Sequence, residues 1–230
     1  IKDPSRPTTF KKRYVVENQK LFRVSRLDDH FLSKSIEKKF IDKLEKLAPS
    51  VDGIVISDFV YGVITSKIIK KVLELSRTYN LKIFGDTQCS SQIGLVTKFK
   101  KFTMLCPNER EARIALQDKE SGLESIITKL ITVTHSDMLI MKLGAQGFVA
   151  FDPSLKGLTS QSFPSLSANP VDVSGAGDSL LAVMATALST KRKFMDAAAL
   201  GCCMAAIAVE NMGNKPIDSN QLKNSLDKFL

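Results

Sequence analysis

The chain has 230 residues, 43% hydrophobic and 25% charged, which is enough apolar material for a sizeable core and excludes wholesale disorder. Its formal net charge of +9 would suit a nucleic acid, an acidic membrane or a phosphorylated small molecule. The basic residues come in short scattered groups (Lys11-Lys12-Arg13, Lys38-Lys39, Lys70-Lys71, Lys191-Arg192-Lys193) with no long basic run and no interleaved aromatic stripe, so solvated helix faces are the plain reading and no nucleic-acid partner is expected.

In chain order, Phe10 to Leu27 partly alternates and predicts two strands turning near Asn18-Gln19. Ser33 to Leu47 carries apolar residues at Ile36, Phe40, Ile41, Leu44 and Leu47, the spacing of a helix with a serine cap. Gly53 to Ser57 is a short apolar run suited to a buried parallel strand. Thr65 to Tyr79 predicts a helix, Leu81 to Phe84 a strand ending at Gly85-Asp86, and Lys101 to Leu105 a strand stopped by Pro107. Helices are expected over Asn108 to Leu116 and Gly122 to Val133. Strands follow over Asp137 to Leu143 and Gly147 to Phe151, around a glycine turn, and over Leu158 to Phe163. Three last helices are expected from Gly177 to about Leu188, over Phe194 to Asn211, and over Ser219 to Phe229.

This alternation predicts an α/β fold: a mainly parallel sheet with helices on both faces over about 33–230, preceded by a small β lid at about 8–27. Ligands of such sheets bind at the carboxyl ends of the strands. The opening Ile1–Pro7 reads as a loop, so further residues are expected before it. Cys89, Cys106, Cys202 and Cys203 form no C-x-x-C pair, and His30 and His135 lie far from them in sequence. That disfavours structural zinc and fits reduced thiols in the cytoplasm. No apolar stretch approaches the ~20 residues of a membrane span, so no membrane partner is expected.

The strongest chemical signal is Asp172-Val-Ser-Gly-Ala-Gly-Asp178. Gly175 and Gly177 permit a tight turn into a helix, whose free N–H groups and partial positive charge suit a phosphate. Asp178 falls in the first turn, where a carboxylate can take a proton from an attacking hydroxyl while the amides hold developing charge. Read alone, the same residues are also a capping Asp after a glycine turn. Asn108 and Glu111 in Pro107-Asn-Glu-Arg-Glu111 have the spacing to meet a phosphate and the water shell of Mg²⁺, or to form a capping box. Lys142-Leu-Gly144-Ala-Gln-Gly147 reads as a glycine-bearing hairpin turn. There is no G-x-x-x-x-G-K-[ST] P-loop.

Taken together, in this order, Asn-x-x-Glu, Leu-Gly-x-x-Gly and Asp-x-x-Gly-Ala-Gly-Asp resemble the ribokinase (PfkB) family of carbohydrate kinases across nearly the whole chain. The resemblance implies a ribokinase-like fold and an ATP-dependent phosphotransferase acting on a sugar hydroxyl. It implies Asp178 as catalytic base and the amides of Gly175, Ala176 and Gly177 as the anion hole. ATP would be bound by Asn108, Glu109, Arg110, Glu111, Lys142, Gly144 and Gly147, with Cys202, Asn211 and Gly213 on the adenine side. Glu111 would reach Mg²⁺ through water, and Asp172 and Val173 would border a K⁺ site. Within the family, Arg6-Pro-Thr-Thr9, Asn18 to Arg23 and Ser57 to Gly62 resemble the heptose-7-phosphate kinase subgroup, which implies a homodimer through the lid strands and Asp58 as a substrate contact. Tyr61 and Gln88 depart from it, since the resemblance expects lysines there. It also expects a longer N-terminal portion with a glycine-rich sugar-holding segment. The other reading is a truncated relative that binds nucleotide or dimerises without catalysis.

Overall fold

The computed structural model describes every residue except 17–18, 89–92, 158, 168, 214 and 228–230. The two lid strands are β1 (Phe10–Val16) and β2 (Gln19–Arg26), paired antiparallel in a sheet of their own with a bulge between Tyr14 and Val15. Part of the expected turn, Asn18, lies outside the described residues. The body follows as α1 (Lys34–Leu47), β3 (Gly53–Asp58), α2 (Ser66–Tyr79), β4 (Lys82–Thr87), β5 (Met104–Leu105), α3 (Glu109–Leu116) and α4 (Leu123–Thr134). It continues with β6 (Met138–Lys142), β7 (Phe148–Phe151), β8 (Ser160–Phe163), α5 (Ala176–Ser189), α6 (Phe194–Val209) and α7 (Ser219–Leu226).

The body sheet runs β3-β4-β5-β6-β7-β8. The first four strands are parallel, and β7 and β8 add on antiparallel. Strand alternation divides the core in two, because successive side chains point to opposite faces. Phe84, Met104, Ile140 and Phe148 pack under α5 and α6 with Leu180, Met184 and Ala198. Their neighbours Ile83, Leu105, Leu139 and Met141 pack on the other face with Ile68 and Val72 of α2 and Ile126 and Leu130 of α4. Sandwiched on both sides, β4 to β6 read in sequence as continuous apolar runs rather than as alternation.

Caps fix the helix starts as the sequence suggests. Ser33 Oγ accepts from the Ile36 N–H at 3.4 Å, and Thr65 Oγ1 accepts from the Ile68 N–H at 3.3 Å. Two strands differ from expectation. β4 runs on to Thr87 because its polar end stays in register with β3, Ser57 opposite Asp86 and Asp58 opposite Thr87. β5 is two residues long, since Lys101 takes a left-handed φ of 60° and gives its N–H to the Thr134 carbonyl at 2.8 Å instead of a neighbouring strand. Among the described residues, no helix is long and apolar enough to cross a membrane.

The β6–β7 turn is a single 3-10 turn, Gly144–Gln146, closed by Gly147 at φ 87°. A Cβ on Gly147 would sit 2.0 Å from the Phe163 carbonyl oxygen of β8, whereas one on Gly144 (φ 62°) would meet nothing within 4 Å. Gly147→Ala therefore combines backbone strain with a backbone clash, and Gly144→Ala carries the strain alone. In urea melts Gly147→Ala is expected to cost upwards of about 2 kcal/mol and Gly144→Ala about 1 kcal/mol. Equal losses would show that the β8 contact is not what excludes a side chain at 147.

Candidate active site

The carboxyl ends of β4 and β6, the start of α3 and the N-terminus of α5 converge on one cleft of about 580 Å³ under the lid. Asp86 at the end of β4 is 1% exposed. Its Oδ2 accepts from Lys142 Nζ, at the end of β6, at 2.8 Å, while Oδ1 is buried with no hydrogen-bond partner among the described residues. Gln88, just past β4, donates to Asp178 Oδ1 at 2.8 Å. Gly175 holds the α5 N-cap position at φ 85°, which places Ala176, Gly177 and Asp178 in the first turn.

Burial raises the Asp178 pKa first, the Asp86 carboxylate adds to the rise, and Lys142 and the Gln88 hydrogen bond oppose it. Burial pulls the Lys142 ammonium down, but the Asp86 carboxylate, with Glu111 behind it, outweighs that and holds it charged. Beneath the pair, burial drives the Cys106 thiol up to about 12, against the pull of Lys142, so it stays neutral and inert.

Asn108 and Glu111 form a full capping box. Asn108 Oδ1 accepts from the Glu111 N–H and Glu111 Oε2 accepts from the Asn108 N–H, both at 2.8 Å. Both side chains also line the cleft, so the capping and ligand-facing readings coexist. Arg110 lines the cleft too. Glu109 turns away into an ion pair with Arg113 at 2.7 Å and borders neither this cleft nor the apolar cavity beside it.

That apolar cavity, of about 330 Å³, shares Asn108, Lys142, Val173 and Gly177 with the cleft. Gly144, Gly147 and Ala176 line it, and Leu180, Ala206 and Val209 supply its greasy wall. Cys202 lies there as well, its thiol donating to the Pro164 carbonyl at 3.0 Å and pushed up to about 11 by burial and then by Cys203. An apolar slot opening into a polar, phosphate-friendly cleft has the shape of a nucleotide site. Asn211 caps the end of α6 through the Ile207 carbonyl at 3.0 Å and does not border the slot. The Gly213 N–H reaches Asp172 Oδ2 at 3.1 Å, and Asp172 Oδ1 accepts from the Ser174 N–H at 2.9 Å, which ties the loop before α5 to the end of α6.

Asp58 does not line the cleft: its Oδ2 pairs with Lys98 and its Oδ1 accepts from the Val60 N–H at 2.9 Å. The turn it anchors holds Val60 at φ 63°, a strained conformation for a β-branched residue. That turn presents Phe59 and Tyr61 to the lid, where Lys11 Nζ lies 5.1 and 5.2 Å from their ring centres. Residue spacing did not single out Asp86, Gln88, Lys11, Arg13 and Arg23 as site residues, yet all line the cleft. The one signal for the lid cations was the consecutive basic group Lys11-Lys12-Arg13 on β1, which strand alternation splits between two faces.

For Mg²⁺, the fit rests on the unpartnered Asp86 oxygen and on Glu111 in the same cleft. Among the described residues, no group of three or more His, Cys, Asp or Glu is gathered to hold a metal ion directly. The donors therefore suit a cation carried by a polyphosphate that keeps most of its waters.

Because the folded-state pKa of Asp178 is raised, this group contributes stability below its unfolded pKa, and that contribution is lost as pH rises through the folded value. Asp178→Asn is expected to raise the melting temperature at pH 7, with the gain vanishing as the pH falls to about 3, below the ordinary carboxylate range. A melting temperature at pH 7 unchanged or lowered by the substitution would contradict the raised pKa.

Comparison with known proteins matches this geometry. The sequence profile described as pfkB family carbohydrate kinase covers residues 5–220. The bifunctional protein HldE of Geobacter sulfurreducens is 28% identical over 98% of the chain, and that of Campylobacter jejuni serotype O:2 is 30% identical over 95%. The chain covers 45% and 46% of those proteins, so it spans less than half the length of the curated relatives it matches. Among solved structures, Arabidopsis thaliana ribokinase complexed with ribose and ATP superposes with a TM-score of 0.72 at 15% identity, over 96% of this chain and 70% of that one. Escherichia coli phosphofructokinase-2 gives 0.71 at 11% identity, over 90% and 66%. These two show the shared ribokinase-like fold. With the profile running from the lid approach to α7, the chain belongs to the pfkB family of carbohydrate kinases.

Proposed function

We propose that this chain transfers the γ-phosphate of ATP to a hydroxyl of a phosphorylated sugar, with D-glycero-D-manno-heptose 7-phosphate, at its C1 hydroxyl, as the first candidate. The observation that carries the reading is Asp178 in the first turn of α5, joined in one cleft to an apolar slot on one side and a basic lid on the other. The adenine and ribose would occupy the slot between Gly144–Gly147 and α6, past Cys202. The phosphates would lie over the amides of Gly175, Ala176 and Gly177. Asp178 would accept the proton of the attacking hydroxyl, and a carboxylate whose proton affinity is raised by burial and by Asp86 suits that task. When bound, Mg²⁺ would neutralise polyphosphate charge, its waters held by Glu111 and Asp86. The loop at Asp172 and Val173, pinned to Gly213, would be the place for K⁺.

The acceptor's phosphate is argued from the lid. Directly paired strand residues share a face, so Arg13 and Arg23, which are partners, point the same way, as does Lys11 two residues from Arg13. All three line the cleft. Three cations on one face of the lid, over the cleft, suit an anionic group on the acceptor. The likeness to proteins named bifunctional HldE supports the heptose choice. Full-length protein should consume ATP with heptose 7-phosphate in a coupled assay, and Asp178→Asn should cut turnover by about 10²–10⁴-fold with nucleotide binding retained. Arg13→Ala should raise KM for the phosphorylated sugar and leave KM for ATP near wild type. If only unphosphorylated sugars respond, the lid argument fails. An Asp178→Asn variant as fast as wild type would remove the base assignment.

We also propose a homodimer through the lid. The opposite lid face carries Phe10, Tyr14, Phe22 and Val24 beside Lys12 and Arg26, with Phe10 57% and Phe22 56% exposed. Tyr14 and Phe22 stack at 4.4 Å, an exposed aromatic patch for a second copy. Wild type should sediment as a dimer at micromolar concentration, and Phe22→Asp as a monomer.

A further inference from the structure

Lys142 stands where the apolar slot meets the polar cleft and lines both. Its ammonium makes one hydrogen bond among the described residues, to Asp86 Oδ2 at 2.8 Å, which leaves two N–H donors. A Cβ on Gly177 would come within 3.2 Å of that nitrogen, so the ammonium lies against the first turn of α5, beside the amides and one residue from Asp178. Asp86 is almost wholly buried and offers a second oxygen that no described group satisfies. A buried ion pair adds little net stability compared with apolar residues of similar size, so core packing does not account for a lysine at this junction. A nucleotide with its base in the slot and its last phosphate at the α5 amides must pass its terminal phosphates across the junction. The subgroup resemblance expects a cation near position 88, but Gln88 stands there bonded to Asp178, and the ammonium beside the base comes from β6 instead.

We propose that Lys142 is a catalytic residue whose ammonium contacts the γ-phosphate oxygens, and that Asp86 is the positioning residue that aims it. This rests on the kinase reading above. A compact point charge there would meet the charge spread over the transferring phosphoryl group; Lys142 stays protonated throughout and exchanges no proton.

Binding of Mg·ATP and Mg·ADP to the full-length protein, measured by calorimetry without acceptor, tests this. Lys142→Met should weaken Mg·ATP by about 10- to 100-fold, the usual worth of a hydrogen bond to a charged group, and Mg·ADP far less, so that the preference for ATP shrinks. Lys142→Arg should keep most of that preference. Because Lys142→Met strands Asp86 as an unpaired buried charge, and Asp86→Asn alone removes the oxygen offered to the Mg²⁺ waters, the double variant Asp86→Asn/Lys142→Met is read against Asp86→Asn and should show a further, ATP-selective loss. Equal further weakening of both nucleotides, or none, in the double variant relative to Asp86→Asn would overturn the role of Lys142 and leave the kinase reading intact. A wild-type protein that binds neither nucleotide would overturn both.

Discussion

The floor of the cleft depends on one long-range contact, the ion pair between Asp86 and Lys142. It ties the end of β4 to the end of β6 across the two-residue β5, adding a side-chain link to the backbone bonds that join the three strands. Desolvating two charges is costly, and with one Asp86 oxygen left without a partner among the described residues the pair offsets only part of that cost. Its effects reach outward through space. The Asp86 carboxylate helps raise the pKa of Asp178, Lys142 limits the rise, and both act on the buried Cys106 thiol. The polar centre is held in place by apolar packing on either side: Phe84 and Ile140 lock β4 and β6 under α5 and α6, while Ile83, Leu139 and Met141 lock them over α2 and α4.

Local chemistry was the legible part of the sequence. Ser33 and Asn108 announced their helices because a cap is a property of four or five neighbouring residues. Asp178 was readable for the same reason, since the glycines that turn the chain into α5 stand beside it. Asp86 and Gln88 were not, because their partners lie 56 and 90 residues away and no short window contains both ends. The end of β4 was placed at Gly85-Asp86, short of Thr87, since the pairing that carries the strand on belongs to its register with β3 and not to its own residues. Asp58, a substrate contact by the subgroup resemblance, is paired with Lys98, 40 residues on, and does not line the cleft.

The lid shows how one alternating stretch serves two surfaces. Lys11, Arg13 and Arg23 face the cleft, while Phe10, Tyr14, Phe22 and Val24 face away. A two-stranded sheet has too little apolar area to stand alone, so a bare lid of this composition needs both of its faces occupied. Arg6 anchors its base, with Nη1 donating to the Tyr61 carbonyl at 2.8 Å and Nη2 to the His30 carbonyl at 2.6 Å. Those bonds join the approach to β1, the exit from β2 and the strained Phe59–Gly62 turn in a single hinge.

The charge balance of the cleft follows from these placements. Five basic side chains and three carboxylates line it, so part of the chain's positive charge is gathered at a site rather than spread over helix faces. A surplus of cations should by itself hold a carboxylate's pKa low, yet that of Asp178 is raised. Burial and the nearby Asp86 outweigh the surplus because the lid cations approach through solvent, where their field is screened, while Asp86 acts through the protein interior. The arrangement separates two needs: the lid can attract an anion from a distance without stripping Asp178 of its affinity for a proton.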